Sequence, residues 1–185
     1  MIYSMEYNIA VITSNLGYVD WFIQDLRSNF FRRNLTLGEQ RILEQDPDKG
    51  INAHSALDLV RCHNFRLILM EAGLLPGKGN YSDINGIIDG FVDHTHLPRE
   101  LSLATKLALY VLEQARKGSE NTQTPFVILG GSNESDYLKD RFQSAGADKF
   151  VPLTRYPADF KDLQIYIDDI VKLAEHGRER PIHFF

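Results

Sequence analysis

Cysteine is almost absent: Cys62 is the only one. A single cysteine excludes an intrachain disulfide and fits a reducing cytoplasm. Its place in the pattern is a half-buried helix position. Long apolar runs are missing too, and none approaches the ~20 residues that a membrane span requires. A secretory leader is not expected, because Glu6 stands where a basic patch and an apolar run would be needed. Positive charge is scarce and scattered. The chain has 20 Lys and Arg against 25 Asp and Glu, a formal charge of -5. Arg32-Arg33 and Arg178-Glu179-Arg180 are too short to form the basic face that nucleic acid demands. No Gly-x-Ser-x-Gly elbow and no Cys/His dyad spacing occurs, so hydrolase chemistry has no nucleophile to name. What is present is ordinary for a globular protein: 185 residues, 43% hydrophobic and 24% charged. That length suffices for one well-buried domain and is short for two.

The stretch that organises the rest is Phe65-Arg66-Leu67-Ile68-Leu69-Met70-Glu71, followed by Ala72-Gly73-Leu74-Leu75-Pro76-Gly77. An apolar run without alternation marks a strand buried on both faces, as in a parallel sheet with helices above and below. The residue just past such a strand sits where open α/β sheets place ligands and chemistry. Here that residue is Glu71.

Similar units flank it. Asn8 to Thr13 reads as a first strand, and Val19, Phe22, Ile23, Leu26 and Phe30 then recur at helical spacing. The stretch 32–50 is open between a second strand and a hairpin, with Leu35, Leu37, Ile42 and Leu43 as its apolar residues. Ala53, Ala56, Leu57 and Val60 mark a short helix. After Pro76 the spacing predicts a loop over 77–97, containing Ile84, Ile87, Ile88, Phe91 and Val92; loops this long usually carry a small element or a function. Pro98 is expected in the first turn of the longest helix, with Leu101, Ala104, Leu107, Ala108, Val111, Leu112 and Ala115 on its apolar face. Ser119 to Thr124 is a polar linker. Pro125-Phe126-Val127-Ile128-Leu129 is a buried strand ending in Gly130-Gly131. Ser132 or Asn133 would cap the next helix, whose buried side is Tyr137, Leu138 and Phe142, and Gly146 would end it. Lys149 to Leu153 is the last strand. A final helix over 159–176 presents Phe160, Leu163, Ile167, Ile170, Val171 and Ala174 on one face. Strands alternating with helices in this way mean a parallel sheet joined by right-handed crossovers.

Two passages resemble the receiver domain of two-component response regulators. One runs from Ala56-Leu57-Asp58-Leu59-Val60 through the central strand to Leu75-Pro76-Gly77. The other is Pro125 to Gly131 followed by Phe142-Gln143-Ser144-Ala145-Gly146-Ala147-Asp148-Lys149-Phe150-Val151, in which Ala-Gly-Ala-Asp is the more specific signal. The resemblance implies a flavodoxin-like (CheY-like) α/β fold: a doubly wound five-stranded parallel sheet with helices on both faces. It places a receiver-like domain over 1–176, with added segments near 32–50 and 77–97, and a tail over 177–185.

The resemblance also implies a phosphorylation pocket, and this sequence departs from it throughout. Where the family has two acidic residues for Mg²⁺ after the first strand, this chain has Thr13, Ser14 and Asn15. The phospho-accepting Asp is replaced by Glu71, or by Ala72 in the alternative register. Gly130 stands in place of a Ser or Thr, and Leu153 in place of a Lys. A lone carboxylate makes a poor Mg²⁺ site, and phosphoryl transfer needs a metal and a cation. Glu71 carries one negative charge against roughly -1.5 to -2 for a phosphoryl group, so it would imitate a phosphorylated state only in part.

The expectation is therefore a degenerate receiver, or pseudo-receiver, that uses no cofactor or resident metal. It would act through protein–protein contact in a signalling or regulatory assembly, without catalysis. The family's docking face falls here around Tyr137, Phe150, Arg155 and Tyr156, and pairing of two copies through the last helices is expected from the same resemblance. No DNA-binding module follows, and direct action on DNA is not expected. The alternative is a ligand-binding or enzymatic domain of the same fold with 77–97 as a lid. Asp93-His94-Thr95-His96 bears on it: on an extended segment His94 and His96 would point the same way and could share an ion with Asp83, Asp89 or Glu100. A solvent-facing loop is the commoner origin of such a run. Ser14-Asn15-Leu16-Gly17 and Gly130-Gly131-Ser132 offer bare backbone for a phosphate but lack the spacing of a nucleotide-binding fingerprint.

Overall fold

The computed structural model describes residues 6–13, 16–33, 35–44, 53–74, 81–95, 97–98, 100–131, 136–153 and 160–178. In chain order they form β1 (Glu6–Thr13), α1 (Leu16–Arg32), β2 (Thr36–Glu44), α2 (Ala53–Cys62), β3 (Leu67–Glu71), α3 (Tyr81–Thr95), α4 (Leu103–Gly118), β4 (Phe126–Gly131), α5 (Asp136–Ser144), β5 (Lys149–Leu153) and α6 (Phe160–His176). The five strands lie in the order β2-β1-β3-β4-β5, all parallel. This is the flavodoxin-like arrangement, with its switch point between β1 and β3. No helix among the described residues is long and apolar enough to cross a membrane.

Alternation along the strands builds two cores. Ile68, Met70, Phe126, Ile128 and Phe150 face one side, where α2, α3, α4 and α5 supply Val60, Ile88, Leu112 and Phe142. Leu67, Leu69, Val127, Leu129 and Val151 face the other, covered by Phe22, Leu26 and Phe30 of α1 and Ile167, Ile170 and Val171 of α6. The central strand is apolar from Leu67 to Met70 because both of its faces are covered. Each of its large side chains contributes roughly 1.5–3 kcal/mol through burial.

Several elements differ from the sequence expectation. The open stretch 32–50 holds β2, which pairs parallel with β1, so the hairpin reading fails. The expected loop over 77–97 holds a helix of 15 residues, α3. Its apolar residues recur at three- and four-residue spacing, but Gly86 and Gly90 interrupt the pattern, each costing about 1 kcal/mol of helix propensity. Packing outweighs that cost: Ile88 and Val92 are buried, and Phe91 meets Tyr110 of α4 edge-on with centroids 5.3 Å apart. Helix α4 begins five residues after Pro98, at Leu103, because the Ser102 hydroxyl caps it by accepting from the Thr105 N–H at 3.1 Å. Cys62 is exposed at the end of α2 instead of half-buried. Tyr137 is exposed on α5, and only Leu138 and Phe142 of the expected trio turn inward. The side chains of Phe160 and Leu163, and the cap positions Ser132 and Asn133, lie outside the described residues.

The start of the expected tail is tied into the fold. Gly177 closes α6 with φ 80°, its N–H bonding Leu173 O at 2.8 Å. Arg66 then donates to Ala174 O at 2.6 Å and Glu175 O at 2.5 Å, a cation at the negative end of that helix.

Candidate functional site

Parallel pairing brings the carboxyl ends of the strands to one edge. Ile12 lies beside Met70, Glu71 beside Leu129, and Gly131 beside Leu153. Thr13 and Glu71 therefore end neighbouring strands, and the Thr13 hydroxyl donates to Glu71 Oε2 at 2.9 Å. Thr13 is fully buried and Glu71 half-buried.

The period of two divides the remaining positions. Thr13, Glu71 and Leu153 share the parity of Leu69, Leu129 and Val151, which face α1 and α6. Ala72 and Gly130 share that of Met70, Ile128 and Phe150, which face α4 and α5. The expected pocket is thus split between two faces of the sheet. Glu71 and Gly130 stand at the same edge, but their positions open to opposite sides. Ala72 is buried, and its N–H bonds Leu129 O at 2.8 Å. Leu153 is 1% exposed, packed as core where a cation would have to reach the edge.

The Gly130 side of the edge is filled. A Cβ added there would lie 2.1 Å from Phe150 Cζ and 2.7 Å from Cε1. The tip of the Phe150 ring takes the place of a side chain at 130. The ring itself is 7% exposed and tilts against Phe142, centroids 6.2 Å apart. Phe150 therefore does not belong to an accessible docking face: its position on β5 points into the α4–α5 core. Tyr137 does belong to the surface, 44% exposed, with the Arg141 guanidinium 5.7 Å over its ring. Ser14, Asn15, Arg155 and Tyr156 lie outside the described residues.

Mg²⁺ requires near-octahedral oxygen ligands, commonly one or two carboxylates with waters. Two strands end in carboxylates at this edge, Glu71, bound by the Thr13 hydroxyl, and Glu44, in register with Thr13 on β2; Thr13, Glu71, Ala72, Gly130 and Leu153 by themselves do not fit the ion. The His94 reading also changes. Asp93, His94 and Thr95 form the last turn of α3, where residues two apart diverge by about 200°, and His96 lies outside the described residues. His94 and Asp89 are exposed on α3, and no cluster of three metal-binding side chains occurs among the described residues.

The opposite edge holds a polar network that the sequence pattern did not reveal. Arg116, 3% exposed, donates to the carbonyls of Gly146, Asn121, Thr122 and Thr124 and to Asp148 Oδ2 at 3.1 Å. Asp148 also accepts from Phe126 N at 2.8 Å and pairs with Arg178 Nε at 3.2 Å. Asn121, fully buried, accepts from Phe65 N at 2.9 Å and donates to Val60 O and His63 O, each at 2.6 Å. Burial pushes the Asp148 carboxyl above its ordinary range, the Phe126 N–H and both guanidiniums drawing it back. Burial likewise brings Arg116 down to about 10, with Arg178 adding to the fall and Asp148 opposing it. This is the behaviour of a desolvated ion pair held by geometry more than by net attraction. The signal was available: Arg116 follows Ala115 on the buried stripe of α4, and a polar linker beside buried strands must satisfy their N–H groups.

The sequence matches no family model and no curated protein. Solved structures do match. A response regulator from Hahella chejuensis shares 19% identity, covers 92% of this chain and 96% of its own, and superposes with a TM-score of 0.56. The phosphorylated cyanobacterial phytochrome response regulator RcpA shares 11% identity over 93% of this chain and 96% of its own, TM-score 0.51. A response regulator receiver domain from Rhodospirillum rubrum shares 13% identity over 95% and 99%, TM-score 0.50. The chain has the fold of response-regulator receivers along nearly its full length.

Proposed function

We propose that the chain is a pseudo-receiver, a protein-contact module of a signalling or regulatory assembly that works without aspartyl phosphorylation. The observation that carries this is the divided strand edge. Glu71 is bound to the Thr13 hydroxyl on one face, while Phe150 fills the space over Gly130 on the other. Phosphoryl transfer needs a metal, a cation and an acceptor converging on one point. Charge stabilisation of that kind has no support in a set of Thr13, Glu71, Ala72, Gly130 and Leu153. The receiver fold favours a signalling role and a protein partner, and the chain itself is not expected to catalyse a reaction. Tyr137 anchors the proposed contact surface, with Arg155 and Tyr156 as its further members. Pairing of two copies through α5 and α6 belongs to the same reading.

Incubation with a small phosphodonor and Mg²⁺, followed by intact-mass measurement, tests the reading directly. No phosphate-sized adduct is expected. An adduct that vanishes in Glu71→Ala overturns the reading. Affinity capture with wild type, Tyr137→Ala and Tyr156→Ala tests the surface; retention of every partner by both variants shows that the contact lies elsewhere.

A further inference from the structure

At the amino edge of the sheet one negative charge stands between two positive ones. The Asp148 carboxylate, just before β5, meets Arg116 of α4 at 3.1 Å and Arg178, past the end of α6, at 3.2 Å. The same two guanidiniums share the Gly146 carbonyl, 2.8 Å from Arg116 and 3.1 Å from Arg178. Like charges are thus brought together, and the carboxylate between them is what compensates their repulsion.

The two arginines are held unequally. Arg116 donates further to the carbonyls of Asn121, Thr122 and Thr124, and its guanidinium lies 5.3 Å over the Phe126 ring. Those contacts do not depend on the charge of Asp148. Arg178 instead follows Gly177, whose φ of 80° suits glycine and whose surroundings are open, with nothing within 4 Å of an added Cβ. Gly177 is therefore a ready pivot. The helix before it is fixed from elsewhere: Arg66 binds the carbonyls of Ala174 and Glu175, and Arg33 pairs with Asp168 and Glu175. Losing the Asp148 charge would loosen the chain at Gly177 and Arg178 while α6 and Arg116 stay in place.

We propose that Asp148 and Arg178 form a charge-controlled latch on the chain leaving α6, closed while Asp148 is ionised and open once it is neutral. Solvent has a route to it, because Asp148 lines a cleft of about 630 Å³ beside α6. The other charged or titratable groups on that cleft are Arg33, Lys149, Asp169, Lys172, Glu175 and His176. Asp169 is paired with Lys149 and Glu175 with Arg33. Lys172, joined by His176 when protonated, adds positive charge and favours the ionised, closed form. Burial favours the neutral form, so the latch opens in acid, in a chain that remains folded. The latch lies at the edge opposite Glu71 and stands apart from the phosphorylation question.

The test is solution NMR on the full chain, titrated from about pH 7 to about pH 3 while the Asp148 Cγ signal reports its ionisation. As that signal titrates, the Arg178 Nε–H should lose protection against solvent exchange by about 10- to 100-fold, with Arg116 changing by less than about twofold. The Gly177 and Arg178 amides should gain mobility in the same step. Asp148→Asn should show the open state already at neutral pH. Arg178→Gln should keep the fold and the Arg116 contacts, with Gly177 mobile at every pH. An Arg178 signal indifferent to the Asp148 titration overturns the latch. So does loss of both arginines together, or a carboxyl that stays ionised until the chain unfolds. Should Asp148→Asn not fold, the wild-type titration and Arg178→Gln decide.

Discussion

Replacing Asp148 with alanine removes one carboxylate from between two guanidinium groups. Its Oδ2 accepts from Phe126 N at 2.8 Å and from Arg116 at 3.1 Å, and its Oδ1 pairs with Arg178 at 3.2 Å. The Arg116 side chain is 4% exposed and that of Arg178 7%. Neither can recover water by a small movement. Arg116 in particular is pinned by the carbonyls of Asn121, Thr122, Thr124 and Gly146. Breaking a buried pair from one side costs about 3–5 kcal/mol, and an orphaned buried N–H about 1–3 kcal/mol. The two losses overlap, so about 4 kcal/mol is expected against a total stability of roughly 5–15 kcal/mol. For a chain of this size that is a fall in Tm of about 8–16 °C. Asp148→Asn keeps an oxygen for the Phe126 N–H and should lose less. Urea denaturation measures both, with the midpoint falling and the slope unchanged. A loss below about 1 kcal/mol for the alanine variant, or equal losses for the two variants, would show that the pair does not organise this edge.

Three further outcomes follow from the same contacts. The Asp148 carboxyl is held above its ordinary value of 3.8. Its linked stability is therefore fully present below about pH 3.8 and lost as the pH rises through the native value. The gap between wild type and Asp148→Asn should be widest in acid and narrow on raising the pH, as read from thermal melts; a gap that widens contradicts the sign. Asn121→Ala strands the Phe65 N–H and the Val60 and His63 carbonyls, and a loss of about 2–4 kcal/mol is expected in urea titration; a near-neutral result would mean that water replaces the amide. Thr13→Val removes the hydroxyl from Glu71 and should cost about 1 kcal/mol, with an unaltered stability refuting a role for that bond in holding the edge.

The sheet was legible because burial on two faces leaves an apolar run with no polar interruption. Leu67 to Met70 and Phe126 to Leu129 announce themselves in this way, and their order with amphipathic helices between them implies parallel pairing. Helix α3 was not legible because Gly86 and Gly90 speak for a loop. Its helicity comes from Ile88, Val92 and Phe91 against α4, a contact that does not exist until α4 is in place. Of the strand edge, the residue types were legible and their arrangement was not. Of the residues at 13, 71, 130 and 153 only Glu71 carries a charge. Only register and alternation show that Glu71 and Gly130 belong to opposite faces.

The Ala-Gly-Ala-Asp step illustrates how one motif serves at a distance from any chemistry. Gly146, at φ 104°, turns the chain out of α5 in a conformation that favours glycine. Its carbonyl is thereby presented to Arg116 and to Arg178. Ala147 is buried, 7% exposed. Asp148 then bonds the first N–H of β4 and gathers α4 through Arg116 and the end of α6 through Arg178. Four elements meet in those residues at the amino edge of the sheet. A requirement of that kind persists whether or not the opposite edge carries out phosphoryl transfer. In this chain the Ala-Gly-Ala-Asp step accordingly belongs to what holds the fold, at the edge opposite the one where Thr13 meets Glu71.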